Sequence, residues 1–202
     1  MSKKAKIAVL VSGGGTNLQA LINAQKKGII QSGEISLVIS NKADAYALKR
    51  AQKASVPTAI VLKSECASQE DFENKIKNFL EENKIDLIVL AGFMSILSEG
   101  FTSAYPNRIL NVHPSLIPSF CGKGFYGLRV HQAALEKGVK VTGATVHFVN
   151  EIPDGGEIIL QKAVDIKEDD TPETLQKRVM KLAEWKILPK ATEIVSKKII
   201  ER

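Results

Sequence analysis

Three consecutive glycines, Gly13, Gly14 and Gly15, stand where an apolar β-branched run meets a helical one, and no other feature restricts the fold of this 202-residue chain as much. Residues 6–12 (KIAVLVS) have the composition of a buried strand, while Leu18, Leu21 and Ile22 recur at helical spacing in residues 16–27. The junction is therefore predicted to be strand, glycine turn, helix. The same alternation then repeats. Residues 35–40 read as a strand, 45–54 as a helix and 58–62 as a strand. Ser68 with Asp71 opens a helix to about Asn83 that turns Phe72, Ile76, Phe79 and Leu80 inward, and residues 86–91 (DLIVLA) form a wholly apolar strand. Continuous apolar strands alternating with helices predict an α/β fold, a doubly wound, Rossmann-like, mostly parallel sheet with helices on both faces. In that architecture ligands sit at the carboxyl ends of strands, so the functional residues are sought there.

Beyond Gly100 the pattern changes. Residues 109–113 are predicted as a strand, 119–127 as a glycine-rich loop, 130–137 as a helix, and 141–149 and 158–164 as two strands joined by a shaped loop at 150–157. Thr171 and Pro172 have the cap chemistry that opens a last long helix. With no linker or repeat, residues 1–202 are expected to form one domain, with a phosphate-binding half at about 1–100 and a catalytic half at about 101–202.

The glycine junction suits an anion, because free backbone N–H groups and the helix dipole converge there, and the Thr16 hydroxyl and Asn17 amide add donors. A P-loop requires Gly-Lys-Ser/Thr, which is absent. A dinucleotide fingerprint requires glycine where Leu18 stands and an acid near Ser40 and Asn41. A single phosphate is the anion that remains, and a tight turn with no ligand is the alternative.

Asn111 and His113 lie two apart on a strand and so share a face, where an amide N–H and an imidazolium N–H make an oxyanion site. Pro114 and Pro118 stiffen the exit. Asp154, beside Gly155 and Gly156, is the expected partner of His113, raising its pKa and sustaining a proton on it; a plain turn is the alternative. His147 reads as a core residue in preference to a hydrogen-bonding neighbour of the site, and His131 as an ordinary helix residue. No Gly-x-Ser-x-Gly elbow supports Ser115 as a nucleophile, and no HExxH or similar cluster supports a metal.

Charge and composition narrow the partners. The net charge of +6 is carried by scattered lysines with few aromatic residues, a pattern that disfavours nucleic acid. No stretch approaches the roughly 20 apolar residues of a membrane span, and no signal core precedes the first strand, so a cytoplasmic protein is expected. Cys66 and Cys121 are expected to be reduced thiols.

The segments VLVSGGGTNLQALI, SNKADAYAL, LAGFMSILS, NVHPSLIPSF and TGATVHFVNEIPDGGEIILQ together resemble the phosphoribosylglycinamide formyltransferases, over essentially the whole chain. The resemblance implies transfer of a formyl group from 10-formyltetrahydrofolate, as co-substrate and without a metal, to the amine of 5'-phosphoribosylglycinamide in purine biosynthesis. It implies that Gly15, Thr16 and Asn17 hold the ribose phosphate and that Glu184 meets the glycinamide amine. It also places the folate along Met94, Ser95, Ile96 and Leu97 and against Asn111, Asn150 and Asp154. Asn111, His113 and Asp154 are the implied catalytic trio. The family often has Arg where this chain has Ser95 and Gln69. Methionyl-tRNA formyltransferase and formyltetrahydrofolate deformylase are the sister activities, and both usually carry extra domains for which this chain is expected to have no room. A non-catalytic binding protein would keep the glycine loop without the trio. Monomer and homodimer both stay open.

Overall fold

The computed structural model describes residues 3–201. The chain alternates β1 (Ala5–Val11), α1 (Thr16–Lys26), β2 (Gly33–Ser40), α2 (Tyr46–Lys53), β3 (Thr58–Ile60), α3 (Gln69–Glu82) and β4 (Leu87–Leu90). A short α4 (Glu99–Thr102) leads into β5 (Ile109–His113), and α5 (Leu128–Lys137), β6 (Val141–Phe148), β7 (Ile158–Asp165), α6 (Pro172–Val179) and α7 (Trp185–Ile200) complete it. The seven strands form one sheet in the order β3-β2-β1-β4-β5-β6-β7, with β1 to β5 parallel and β6 and β7 antiparallel to their neighbours. The doubly wound α/β reading holds, and the change of pattern after Gly100 is the switch to antiparallel pairing.

Apart from the edge strand β3, whose Thr58 and Ile60 are exposed, the parallel strands are buried on both faces, which is why their sequences are nearly continuous apolar runs. Ile7, Val9 and Val11 pack against Leu18, Leu21 and Ala47 and against Leu175, Ile187 and Leu188 of the last helices. The alternate residues Ala8 and Leu10 face the other way, onto Phe72, Ile76 and Leu80 of α3 and Phe101 of α4. The Ser68 side chain caps α3 by accepting from Asp71 N, as its spacing predicted.

The expected single long helix after Thr171 is two helices joined by a π-helical turn over Met180–Glu184. The extra residue of that turn rotates the helix face, and Pro189 follows inside α7, where its missing N–H deprives the Trp185 carbonyl of its usual partner. Apolar periodicity continues through both irregularities and so conceals them. No helix among the described residues is long and apolar enough to cross a membrane.

Candidate active site at the carboxyl ends of the strands

β1, β4 and β5 are adjacent in the sheet, so the segments that leave their carboxyl ends lie within about 10 Å of one another. From β1 comes the glycine loop. Gly15 has φ +71°, and a Cβ there would meet Ala47 Cβ at 2.6 Å and Ala47 Cα at 2.8 Å, so α2 crosses the loop at a distance only glycine allows. Ala47 N donates to Gly13 O at 3.0 Å, and Arg50 Nε donates to Gly14 O at 2.8 Å. These contacts engage carbonyls and leave the N–H groups of the first helical turn without intrahelical acceptors. Asn17 is not aimed outward as an extra donor: its Nδ2 donates to Glu184 Oε2 at 2.8 Å, and both side chains are buried. Glu184 is the last residue of the π-helical turn. Burial pushes its carboxyl up to about 7, against the smaller lowering from Asn17.

From β4 comes the segment bearing Met94, Ser95, Ile96 and Leu97. Its start is fixed to the glycine loop, because Met94 N donates to Ser12 Oγ at 2.8 Å. Leu97 is buried, while Met94 and Ile96 are 57% and 71% exposed, apolar side chains turned to solvent where the core has no claim on them.

From β5 come Asn111 and His113. Antiparallel pairing sets His147 directly opposite Asn111 and Thr145 opposite His113. His147 is buried but is not inert core, which corrects the sequence reading. Its Nδ1 lies 2.7 Å from Phe148 O, so it carries the hydrogen, and Nε2 accepts from Asn111 Nδ2 at 3.2 Å. The β5–β6 register is the signal that finds it.

Asp154 joins these groups. It has φ +56°, a left-handed conformation in a loop where a Cβ on Gly156 would overlap the Phe148 carbonyl. Its Oδ1 lies 3.5 Å from Asn111 Nδ2 and from His147 Nε2, and its Oδ2 lies 3.5 Å from His113 Nδ1 and accepts from Gly122 N at 2.8 Å. The 119–127 loop is thereby tied over the site. Asn150 stands at the start of the Asp154 loop and accepts from Ile152 N at 3.1 Å.

The electrostatics correct a second expectation. Burial lowers the His113 pKa, and this outweighs the Phe120 carbonyl and the Asp154 charge, which push it up; His147 adds to the lowering. His113 Nε2 lies 2.8 Å from Phe120 O and so carries the hydrogen of the neutral ring, leaving the Nδ1 lone pair facing the carboxylate. At 3.5 Å the contact is longer than a charge-assisted hydrogen bond, and a proton placed on Nδ1 converts it to an ion pair. For Asp154, burial pushes up, yet the His147 ring, the Gly122 N–H and the two histidine charges together hold the carboxyl below its ordinary value. His131, read as an ordinary helix residue, is fully buried on α5 with neither ring nitrogen bonded, and burial brings it down to about 4. Among the described residues no group of three or more His, Cys, Asp and Glu side chains is placed to hold a metal ion.

The family model described as formyl transferase matches residues 5–192. Phosphoribosylglycinamide formyltransferase of Haemophilus influenzae is 45% identical over 184 residues, covering 91% of this chain and 84% of that protein. Trifunctional purine biosynthetic protein adenosine-3 of Homo sapiens is 48% identical over 194 residues, 96% of this chain but 18% of that much longer protein. The crystal structure of glycinamide ribonucleotide transformylase 1 from Symbiobacterium toebii superposes with a TM-score of 0.90 at 42% identity, covering 96% of this chain and 89% of that one. With a family match along almost its whole length and close identity to a relative of similar size, the chain belongs to the formyl transferase family, in its phosphoribosylglycinamide formyltransferase branch.

Proposed function

We propose that this chain transfers the formyl group of 10-formyltetrahydrofolate to the amine of 5'-phosphoribosylglycinamide, giving the formylglycinamide ribonucleotide and tetrahydrofolate in de novo purine biosynthesis. The observation that carries the reading is the convergence of Asn111, His113 and His147 on the single carboxylate of Asp154, 3.5 Å from each. The names of the relatives support the acceptor and the chemistry, and the geometry is consistent with the roles given to these residues.

The ribose phosphate sits on the backbone N–H groups of Gly15, Thr16 and Asn17, at the amino end of α1, while the Asn17 side chain stays bonded to Glu184. The acceptor reaches from there past Glu184, and the folate lies along Met94 to Leu97 and the Asn150 to Asp154 loop. The amine nitrogen forms the new bond to the formyl carbon while the carbonyl electron pair moves to oxygen. Asn111 donates to that oxyanion, held in orientation by His147. His113 is neutral at the outset, and the negative charge growing beside it raises its proton affinity, so it takes up the proton that the attacking nitrogen gives up as its bond to carbon forms. Asp154 holds that proton on Nδ1. Collapse of the intermediate breaks the bond to the folate nitrogen, which departs with the proton returned by His113, leaving the ring neutral again. Both substrates are small molecules, and the residues 1–202 work as one unit, with the phosphate held mainly by the first half and the reacting carbon by the second.

Steady-state assay with both substrates tests the proposal. Turnover of glycinamide ribonucleotide is expected, and Asn111→Ala and His113→Ala are each expected to lose on the order of a hundredfold in kcat or more, with unchanged circular dichroism. Hydrolysis of the formyl folate without transfer to the amine would replace this reading with that of a deformylase.

A further inference from the structure

Gln69 and Ser95 both bind the chain to itself. Ser95 Oγ accepts from Asn41 Nδ2 at 2.9 Å, which ties the middle of the exposed segment to the end of β2. Gln69 Nε2 donates to Ile96 O at 3.2 Å and to Glu73 Oε1 at 2.7 Å. Glu73 is only 3% exposed, and it accepts from Ser98 N at 2.7 Å and from the Ser98 hydroxyl. Ser98 in turn caps α4, accepting from Phe101 N at 3.2 Å.

Together with the bond from Met94 N to Ser12 Oγ, these contacts pin a four-residue segment from three sides, by β1, β2 and α3, while its Met94 and Ile96 side chains remain bare. Glu73 is buried yet satisfied by neutral donors, and through Gln69 and Ser98 it fixes a segment of whose side chains only Leu97 is buried. A segment ordered before its ligand arrives spares the binding step the entropy of ordering it.

We propose that Gln69 and Ser95 are positioning residues for the formyl donor: with Glu73 and Asn41 they hold residues 94–97 in the receptive shape beforehand, so the donor is recognised by preformed backbone and apolar surface. The inference rests on the proposed function for the identity of the donor, but the clamp itself is observable without turnover.

The experiment compares the full chain with Gln69→Ala, Ser95→Ala and Ser95→Thr. Amide hydrogen exchange of residues 93–98 in the unligated protein reads the clamp, and KM for 10-formyltetrahydrofolate, KM for glycinamide ribonucleotide and kcat read its consequence. Each alanine variant is expected to exchange faster in this segment and to raise the donor KM by about fivefold, the effect of one lost hydrogen bond. The amine KM and kcat at saturating donor should move by less than about twofold, and Ser95→Thr, which keeps the hydroxyl, should restore both exchange and donor KM. Faster exchange with an unchanged donor KM overturns the proposal and leaves the proposed function intact. Equal losses in both KM values and kcat overturn it too, because a merely structural role would produce them. Failure of the parent protein to turn over the amine overturns the proposed function and the donor assignment with it.

Discussion

Asn17 and Glu184 are 167 positions apart in the chain and are joined by a 2.8 Å hydrogen bond in a buried setting, the amide donating to a carboxyl whose pKa burial has raised to about 7. The folded protein therefore keeps a proton that the unfolded chain gives up near 4.5. That contribution to stability is fully present below pH 4.5 and is lost as the pH rises through 7, amounting to about 3 kcal/mol in all. Glu184→Gln removes the ionisation while keeping an oxygen for Asn17. Urea denaturation should find the variant more stable than the parent at pH 8, with little difference at pH 4.5. A parent that gains stability between pH 5 and 8 relative to the variant would contradict the assignment. If Glu184 also meets the substrate amine, the same variant raises the amine KM and leaves the donor KM alone.

His113 and Asp154 make the second prediction. The Asp154 charge pushes the His113 pKa up against a larger downward push from burial. Asp154→Asn removes the upward push and still offers an oxygen to Gly122 N, so the His113 pKa should fall further below its ordinary value. Imidazole resonances followed through a pH titration read this directly, and a rise in the variant would show that the carboxylate does not act on that ring. If Asp154 holds the transferred proton as proposed, the same variant should lower kcat by about a hundredfold or more.

These two pairs also show where sequence was legible. Asn111 and His113 were readable because a strand of known direction puts alternate residues on one face, and the glycine junction was readable because few backbones other than a strand-to-helix turn use such a run. The sheet followed from apolar continuity in β1, β2 and β4. The bond from Asn17 to Glu184 was not, because it depends on a π-helical turn that leaves no mark in apolar periodicity. His147 was misjudged because strand alternation says which face a residue occupies and not whether that face is core or site. The sign of the His113 shift depends on how deep the ring lies, and spacing carries no depth.

His131 opposes Glu184 in its pH dependence. Burial lowers its pKa from 6.5 to about 4, so the unfolded chain takes up a proton that the folded one refuses. Its stability contribution is complete above pH 6.5 and is lost as the pH falls toward 4. With both ring nitrogens unpaired, an apolar residue of similar size removes a cost instead of a bond. His131→Leu should raise stability by about 1–3 kcal/mol at pH 5 and by less at pH 8, measured by denaturation at the two values. Loss of stability at pH 5 would mean that the ring has a hydrogen-bond partner in solution.

Gly15 and Gly13 lie two residues apart in one loop and should respond to the same substitution in different ways. At Gly15 a methyl group meets Ala47 Cβ and the Ala47 backbone, and φ of +71° disfavours any L side chain. Neither obstacle is the tip of a flexible side chain, so either α2 or the loop has to move. Gly15→Ala should cost about 1–3 kcal/mol of stability and raise the KM for the phosphorylated amine at least about tenfold, since the N–H groups proposed to face the phosphate shift with the loop. The donor KM should be nearly unaffected, because the proposed folate site lies on the segment after β4 and the loop after β6. At Gly13 a Cβ has nothing within 4 Å, and Gly13→Ala should be close to the parent in stability. Denaturation midpoints and both KM values for the two variants decide the matter: equal effects at the two positions would show that loop flexibility in general, and not the contact with Ala47, sets the phosphate site.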